Sequence, residues 1–550
     1  MQPINPKITK RGAEARNAAL EGIEVVYAAV SATLGPRSSN VGITRPFGRP
    51  AVVHDGVTVA KELLPLEDPF ENYGAELAVE AADKTNSIGD GTTTATVLMR
   101  SIAKKANTYI AAGARPMALR EGIEAATTAI VKQLDLMAIP ISKTADVKRI
   151  ATISAQNEEI GKMVADAYDE LGKDGIMSVE ESRGTDTFLE IKTGMEFDRG
   201  FRSPYFVTDP ILGEATLVEP AILVTDYSLR TVTQLGPMLE RLVNGIDATG
   251  MADPSQGIKE IVIIANEIDG EALGFLAVNH VKQAIRVIAV NAPSFGDKRT
   301  DILKDIAIVT GATFIGEQAG IGLDSVTAAH LGRAGRVTST KDSTLIVDGI
   351  GSQEDVNNRA AEIKNLADNP DTGEFDREKL MERYAKIKSG VAVLTIGAKS
   401  EPEIKERKER AIDAISATKA ALEQGIVPGG GIALIEAAET SELAAIINNP
   451  KTERDFLSGV QIVIDACQQP FRKLLSNAGF DPGSYIKLVG KGKGVNVVTG
   501  EVSDMVKAGI IDPVLVVKSA LENASSNAVM VATTEVIIVE KPTKQQKENL

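Results

Sequence analysis

The sequence has few of the residues that build disulfide, metal or aromatic sites. It contains one cysteine, Cys467, no tryptophan, and three histidines, His54, His280 and His330, that lie far apart. A single cysteine excludes an internal disulfide and favours a reducing compartment. The dispersed histidines lack the spacing of a zinc site. Cys467 lies among apolar residues, which predicts a buried thiol rather than a catalytic one.

Long apolar runs, an excess of positive charge and a targeting segment are also missing. No run approaches the roughly 18 apolar residues that a bilayer-spanning helix needs, so we expect no membrane contact. The formal net charge of −15 disfavours non-specific binding to nucleic acid, and no nucleic-acid partner is expected. The N-terminal stretch contains no apolar signal core, so we expect a cytoplasmic protein.

Residues 89–96, which read GDGTTTAT, carry the strongest chemical signal in the chain. Glycines let the backbone approach a ligand closely, and free N–H groups at a helix start bind anions. Thr92, Thr93 and Thr94 add hydroxyl donors, and the Asp90 carboxylate is suited to holding Mg²⁺ against phosphate oxygens. A polar turn that only caps the following helix is the alternative interpretation. The stretch is not a Walker motif, because no Gly-Lys-Ser/Thr follows.

The pattern of apolar residues divides the chain into parts of different character. Spacings of three and four predict helices up to about residue 139 and again over 432–535, whereas short β-rich runs alternate with helical segments over 193–391. These features predict a mostly helical domain assembled from both ends of the chain, with an α/β domain inserted between them. A second Asp-Gly turn, Asp55-Gly56, also precedes a helical pattern, which suggests a shared metal and phosphate site.

Six motifs occur along the chain: TLGP (33–36), DGVTVAKE (55–62), GDGTTTAT (89–96), DRGFRSPYF (198–206), VPGGG (427–431) and GIIDP (509–513). Together they resemble the group I chaperonins, the GroEL family, over nearly the whole chain. The resemblance implies a multidomain chaperonin fold with α and α/β parts. It places a mostly helical equatorial ATPase domain at 1–139 and 425–550, a small intermediate hinge domain at 140–192 and 392–424, and an α/β apical polypeptide-binding domain at 193–391.

The same resemblance implies an activity and its partners. The expected protein is an ATP hydrolase that binds non-native polypeptides, encloses them under a GroES-type co-chaperonin lid and promotes folding through ATP binding and hydrolysis. It is expected to use ATP and Mg²⁺, with K⁺ as a further candidate ion, in a homo-oligomer of two stacked seven-membered rings. Two alternatives stay open: a soluble ATPase of another class, and a ring-forming binding scaffold with little ATP turnover.

The resemblance also assigns roles to individual residues of this sequence. Asp413 matches the aspartate that aligns the attacking water, although by itself it reads as a solvent-facing carboxylate on an amphipathic helix, and Asp55 is the second catalytic candidate. Asp90 is the expected Mg²⁺ ligand. The nucleotide contacts are expected at Thr33, Leu34, Gly35, Pro36, Asp55, Gly56, Asp90, Gly91, Thr92, Thr93, Thr94, Gly430, Asn496, Val497 and Asp512.

The apical domain is expected to present an exposed apolar groove that binds polypeptides. Its candidate residues are Phe201, Tyr205, Phe206, Leu239, Leu273, Ala277 and Val278. These apolar residues have an equally plain interpretation as core. Arg202 departs from the family pattern, because it places a charge beside the groove where an apolar residue is common.

Overall fold

The computed structural model describes most of the chain. The described residues are 6–44, 51–86, 88–89, 91–141, 144–172, 175–182, 184–210, 213–246, 251, 253, 257–294, 296–369, 372–388 and 390–541. Asp90, the expected Mg²⁺ ligand, lies outside the described residues.

Helices dominate the described part of the chain at both ends. They are α1 (Gly12–Val30), α2 (Gly56–Glu62), α3 (Pro69–Asn86), α4 (Thr92–Ala111), α5 (Pro116–Met137), α6 (Thr144–Ala155), α7 (Glu158–Leu171), α8 (Val232–Val243), α9 (Gly270–Val281), α10 (Asp297–Thr310), α11 (Gln353–Asp368), α12 (Glu374–Lys388), α13 (Glu401–Gln424), α14 (Ile432–Ala437), α15 (Ser441–Ile447), α16 (Arg454–Cys467), α17 (Gln469–Asn477), α18 (Pro482–Tyr485) and α19 (Val514–Thr533). None of them, within the described ranges, is both long enough and apolar enough to cross a membrane.

Strands are concentrated in the middle of the chain. They are β1 (Lys7–Arg11), β2 (Val41–Ile43), β3 (Ala51–Val53), β4 (Ile176–Glu181), β5 (Phe188–Lys192), β6 (Gly194–Phe197), β7 (Ala215–Val218), β8 (Ala221–Val224), β9 (Ser228–Leu229), β10 (Glu260–Ala265), β11 (Glu267–Ile268), β12 (Arg286–Asn291), β13 (Gly332–Ser339), β14 (Thr344–Gly349), β15 (Val391–Ile396), β16 (Ile426–Pro428), β17 (Lys493–Asn496), β18 (Glu501–Asp504), β19 (Ile511–Pro513) and β20 (Val536–Glu540).

The chain forms two compact units. The helical unit comprises Met1–Asp166, Glu181–Thr187 and Ile396–Leu550, and the α/β unit comprises Ala167–Glu180 and Phe188–Thr395. The helical unit therefore contains both ends of the chain. The residues expected in a separate intermediate domain are shared between these two units, and the three-domain division stays a prediction.

The helical unit has a core of apolar helix faces. Residues at spacings of three and four, such as Ile23 and Val26 of α1 and Leu119 and Ile123 of α5, are fully buried in it. Strands β1 and β20 pair antiparallel, so both ends of the described chain belong to one sheet. Cys467 is completely buried, and burial raises the pKa of its thiol to about 12. The prediction of a buried thiol is confirmed.

The α/β unit is built on a seven-stranded sheet. Its order is β12-β10-β8-β13-β14-β6, with β7 paired to β13. Strands β8, β10 and β12 are parallel and are connected through α8 and α9, whereas β13, β14 and β6 pair antiparallel. Ile261 to Ala265 are all buried, as expected for a parallel strand covered on both faces.

One β-rich run of the sequence, residues 312–316, does not form a strand. Its only ladder contact in the described chain is an isolated bridge between Thr225 and Ile315. Gly311 ends α10 in the left-handed conformation, and a 3-10 turn begins at Glu317. Within this segment Ile315 bridges to Thr225, whereas the N–H of Thr313 donates to the carbonyl of His330, so the hydrogen bonds do not continue along one strand.

Candidate functional site

Three motifs from the first hundred residues meet in the helical unit. The hydroxyl of Thr33, in TLGP, lies 3.3 Å from the hydroxyl of Thr93, in the threonine turn. A Cβ atom built on Gly56, in DGVTVAKE, would lie 2.7 Å from the same Thr93 hydroxyl. A side chain at residue 56 would collide there, so the sequence keeps glycine where the two turns approach most closely.

Asp55 caps helix α2. Its two carboxylate oxygens accept hydrogen bonds from the backbone N–H groups of Val57, at 3.2 Å, and Thr58, at 2.7 Å. Such a cap stabilises a helix by about 1 kcal/mol, because it satisfies N–H groups that have no partner in the helix. The residue expected to take part in catalysis therefore also has a structural role.

The threonine turn forms the start of the long helix α4. Thr92 is buried, Thr93 and Thr94 are half-buried, and no described side chain caps the first turn. An uncapped helix N-terminus carries a partial positive charge and free N–H donors, which suit an anion. A Cβ on Gly91 would lie 2.7 Å from Val516 of α19, so the turn is packed against the helix that follows GIIDP.

The two C-terminal motifs are also brought together. Strands β16 and β19 pair Val427 with Asp512, which joins VPGGG to GIIDP. A Cβ on Gly429 would lie 3.1 Å from an Asp512 carboxylate oxygen. Gly430 has φ +68°, a left-handed conformation that favours glycine, and a side chain there would approach Met505.

Side-chain hydrogen bonds join the TLGP loop to the C-terminal part of the helical unit. The Arg37 guanidinium donates to the carbonyl of Val498 at 2.6 Å, just beyond Asn496 and Val497. The Asn496 side chain accepts from the Val498 N–H at 3.0 Å, and Val497 packs against a small apolar cluster. The expected nucleotide contacts at Asn496 and Val497 therefore lie close in the fold to the TLGP loop.

The TLGP loop itself is held by α17. The Asn477 side chain donates to the carbonyl of Leu34 at 3.0 Å. Gly35 has φ +91°, and a side chain in its place would meet Leu474. Pro36 is exposed.

Helix α13 carries Asp413 to this group of motifs. Glu409, Asp413 and Ala417 are spaced four residues apart, so they lie on one face of the helix. The Ala417 backbone would lie 3.7 Å from a Cβ on Gly89, at the entry to the threonine turn. Asp413 is half-buried, one turn before Ala417 and one turn after Glu409. Asp413 therefore shares a helix face with Glu409 and with the residue that packs at the entry to the threonine turn.

The same face is electrostatically coupled to Asp55. Burial and the negative charges of Asp55 and Glu406 raise the pKa of Glu409 to about 7. Burial and the positive charge of Arg410 lower the pKa of His54, the neighbour of Asp55. Several carboxylates thus converge where the motifs meet, and bound cations would offset their repulsion.

The described residues fit a nucleotide better than they fit a metal ion alone. A helix start that no described side chain caps, threonine hydroxyls and closely approached glycines match phosphate and sugar chemistry. Among the described residues, no group of three or more histidine, cysteine, aspartate or glutamate side chains is placed to hold a metal ion. The Mg²⁺ role of Asp90 stays a prediction.

Three contributors to the site were missed from the sequence. Glu409 precedes Asp413 by one helical turn, so helical spacing was an available signal. Arg37 directly follows TLGP, but its reach to Val498 depends on tertiary structure. Val516, which packs on the threonine turn, has the sequence pattern of any core residue.

The apical groove residues divide into exposed and buried sets. Tyr205 and Val278 are exposed at 68% and 51% of their surface, and Phe201 and Leu273 are half-buried. The expected exposure of Phe206, Leu239 and Ala277 is wrong, because these side chains are at most 8% exposed and belong to the core of the α/β unit.

The three buried residues lie on the sides of their turn or helix that face the core of the α/β unit. Phe206 packs edge-on against His280 with ring centroids 5.6 Å apart. Leu239 lies on the same face of α8 as Leu235 and Leu242, and all three are buried in the core of the α/β unit. Helix α9 also buries one of its faces. Its opposite face, which carries Val278 and Val281, is exposed to solvent.

Comparisons with known proteins identify the family. A model of the TCP-1/cpn60 chaperonin family matches residues 26–542. The crystal structure of the chaperonin gp146 from bacteriophage EL 2 (Pseudomonas aeruginosa), in the presence of ATP-BeFx, is similar with a TM-score of 0.66 in crystal form II. The identity is 20%, over 97% of this chain and 100% of that chain. Crystal form I gives a TM-score of 0.61 at 20% identity, over 97% and 99% of the two chains.

The two kinds of match support different statements. At 20% identity the structural likeness establishes the chaperonin fold and nothing further. The family match extends over more than half of the chain and includes the motifs that the fold brings together. The chain therefore belongs to the TCP-1/cpn60 chaperonin family.

Proposed function

We propose that this protein is an ATP-dependent chaperonin of the group I type, which binds non-native polypeptides and promotes their folding through ATP binding and hydrolysis. The observation that supports this best is the face of α13 that carries Asp413. One turn before Asp413 lies Glu409, whose pKa is raised by Asp55, and one turn after it lies Ala417, which packs near Gly89 at the entry to the threonine turn. Water activation requires a base within hydrogen-bond reach of the water, and in this proposal Asp413 of α13 is that base.

In this proposal the nucleotide lies between the N-terminal and C-terminal motifs. Thr33, Thr93 and the start of α4 bind phosphate oxygens, and Asp90 holds Mg²⁺. Gly430, Asn496, Val497 and Asp512 contact the adenosine. Bound ATP with Mg²⁺ supplies a reactive phosphoryl group whose charge is partly neutralised.

Asp413 orients a water molecule and accepts its proton. Asp55 holds the start of α2 and contributes negative charge beside the site. Because Asp413 belongs to α13, hydrolysis depends on this helix lying against the motifs. Movement of the helix would then control the rate.

Polypeptide capture is proposed for the α/β unit. Tyr205, Val278 and Val281 are exposed apolar side chains on a 3-10 turn and a helix that contact each other. Exposed apolar surface of this kind marks interaction sites. A GroES-type lid, two stacked seven-membered rings, K⁺ as an additional ion and a cytoplasmic location complete the proposal.

Electron microscopy of the purified protein, with and without ATP, tests the assembly. Seven-fold rings that change on adding ATP are the expected result. ATP turnover measured with and without a chemically unfolded protein tests the coupling, and we expect the unfolded protein to change the rate.

Two other outcomes identify the alternatives. A protein without rings whose turnover ignores unfolded polypeptide is a soluble ATPase of another class. Rings that bind unfolded polypeptide but hydrolyse ATP no faster than the Asp413→Ala variant are a binding scaffold.

A further inference from the structure

The α/β unit contains a polar cavity at the carboxyl ends of its parallel strands. The cavity measures about 470 Å³ and is lined by residues at the carboxyl ends of β10 and β12, among them Asn266 and Asn291. In open parallel sheets, ligands bind at the carboxyl ends of the strands, where successive strands lead into loops. The volume is in the range of small-molecule sites.

Positive charge dominates the wall of this cavity. Four cationic side chains line it: Arg199, Arg202, Arg299 and Lys341. Glu267 is the one carboxylate among its described lining residues, and it is already paired with Arg230 at 2.5 Å. Cationic side chains therefore outnumber carboxylates among these described lining residues, which favours an anion over a cation here.

Backbone contacts fix the position of the cationic segment 199–202. Phe201 forms a bridge with Val290 of β12, and its N–H donates to the carbonyl of Thr340 at 3.0 Å. The N–H of Arg202 donates to the carbonyl of Ala289 at 2.9 Å. This segment is thus attached to the edge of the sheet, and its side chains do not depend on a loose loop.

The guanidinium groups are oriented by the loops that they contact. Arg202 Nε donates to the carbonyl of Ile268 at 3.3 Å, and Arg299 Nε donates to the carbonyl of Ser294 at 3.1 Å. A second Arg299 nitrogen donates to the Asn266 side chain. A guanidinium has five N–H donors, and the bond to Ile268 orients the Arg202 group through one of them.

We propose that this cavity binds a compact anion of the phosphate class that carries two or more negative charges. Guanidinium forks match phosphate oxygens in pairs, and Arg299 lies in the first turn of α10, where the helix adds partial positive charge. An extended acidic polypeptide would need a long open groove, whereas this site is a small concave one. The source of the phosphate groups is either an inorganic polyphosphate or the phosphate chain of a nucleotide.

This site is independent of the proposed ATP site. Its residues all belong to the α/β unit, whereas the nucleotide motifs all belong to the helical unit. The proposal therefore does not rest on ATP hydrolysis or on polypeptide capture.

A tryptophan reporter makes the binding measurable in the full-length chain. The sequence contains no tryptophan, so Phe201→Trp places a unique fluorophore in the cavity wall. We expect sodium tripolyphosphate to change its emission saturably and adenosine to have no effect. Tighter binding of tripolyphosphate than of ATP identifies the inorganic source, and the reverse identifies the nucleotide. High salt should weaken binding, because ionic screening acts over about 8 Å at physiological strength.

Charge reversal within the cavity provides the main test. Lys341→Glu and Arg202→Glu should each weaken tripolyphosphate binding at least about tenfold, because each removes a charge-assisted contact and adds repulsion. Lys259→Glu is the matched control, since this exposed lysine lies at the amino end of β10, opposite the cavity. We expect the control to bind like the parent chain. Repeating the ATP titration in Lys341→Glu separates cavity binding from signals that originate in the helical unit.

A second readout does not need the reporter. Tripolyphosphate should raise the melting temperature of the unmodified chain more than that of Lys341→Glu, because ligand binding to the native state stabilises it. The proposal is overturned by a folded protein that shows no saturable response to tripolyphosphate. It is also overturned by equal losses in Lys259→Glu and Lys341→Glu, or by a response to poly-glutamate alone.

Discussion

Asp413 is one half-buried carboxylate on a 24-residue helix, and we propose that it acts as the base in ATP hydrolysis. Replacing it by alanine should lower ATP turnover by about 10²–10⁴-fold, the usual contribution of a positioned base. Nucleotide binding should stay nearly unchanged, because the expected nucleotide contacts belong to other elements. Steady-state turnover and equilibrium ADP binding of the same preparation measure the two effects.

Glu423→Ala is the control for Asp413, because Glu423 is an exposed carboxylate on the same helix. We expect its turnover to match the parent chain. If Asp413→Ala lost binding and turnover in parallel, the residue would belong to the nucleotide pocket and would not be the base.

Glu409 should make stability depend on pH. Its pKa is raised from 4.5 to about 7 by burial and by Asp55 and Glu406, so the folded state favours the neutral carboxyl. The stabilising effect of this group is complete below pH 4.5 and is lost as the pH rises through 7. Glu409→Gln, which stays neutral, should therefore exceed the parent in stability above pH 7, by about 1–2 kcal/mol after solvent screening.

Thermal melts of the two chains from pH 5 to pH 8.5 measure this difference. The gap in melting temperature should be small at the acid end and should widen up to about pH 7. Glu423→Gln, at an exposed position of the same helix, measures how much replacing a glutamate by glutamine changes the melting temperature where the carboxylate is not buried. A gap that did not change with pH would show that Glu409 is ionised in the folded protein throughout.

At the scale of elements, α10, α11 and α12 are joined through one buried carboxylate. Asp305 of α10 is fully buried and forms ion pairs with Arg359 of α11, at 2.7 Å, and with Arg383 of α12. Asp305→Ala leaves two largely buried guanidinium groups without this partner. We expect a loss of about 3 kcal/mol in the stability of these helices, the lower end for a broken buried pair, because Asp301 still contacts Arg383.

Native-state hydrogen exchange locates that loss. Amide protection should fall in all three helices of Asp305→Ala and stay unchanged in the helical unit. Asp376→Ala removes the exposed pair with Lys298 and should change protection by less than about 1 kcal/mol. Equal effects of the two substitutions would mean that the buried network does not join the helices.

At the scale of the whole molecule, capture of unfolded polypeptide should depend on exposed apolar residues and not on buried ones. Tyr205→Glu adds a charge to a side chain that is 68% exposed, so it should reduce capture and leave the melting temperature unchanged. Leu239→Glu puts a charge into a site that is 4% exposed, which costs several kcal/mol and should unfold the α/β unit.

Capture of a chemically denatured client and thermal melting of each variant test this contrast. Val278→Glu, at an exposed position on α9, serves as a second surface variant and should behave like Tyr205→Glu. Normal capture by both surface variants would remove these residues from the binding surface.

The sequence alone determined much of the fold, because its signals are local. Apolar spacings of three and four predicted helices up to about residue 139 and over 432–535, and α1, α5, α16 and α19 lie in these ranges. The order of six short motifs indicated the chaperonin family, because those glycine and aspartate positions meet tight steric and capping requirements that few other residues satisfy.

Only the tertiary structure decided which apolar groove residues face solvent and how the site is completed. Phe206 and Tyr205 are adjacent in the chain, yet one is buried and the other exposed, because the side of a turn that packs on a neighbouring helix depends on residues far away in the sequence. Asp413 and Asp55 are equally ordinary as isolated carboxylates. The approach of Gly56 to the threonine turn, the raised pKa of Glu409 and the cationic cavity all arise from contacts between distant segments, because charge and burial are properties of the folded neighbourhood.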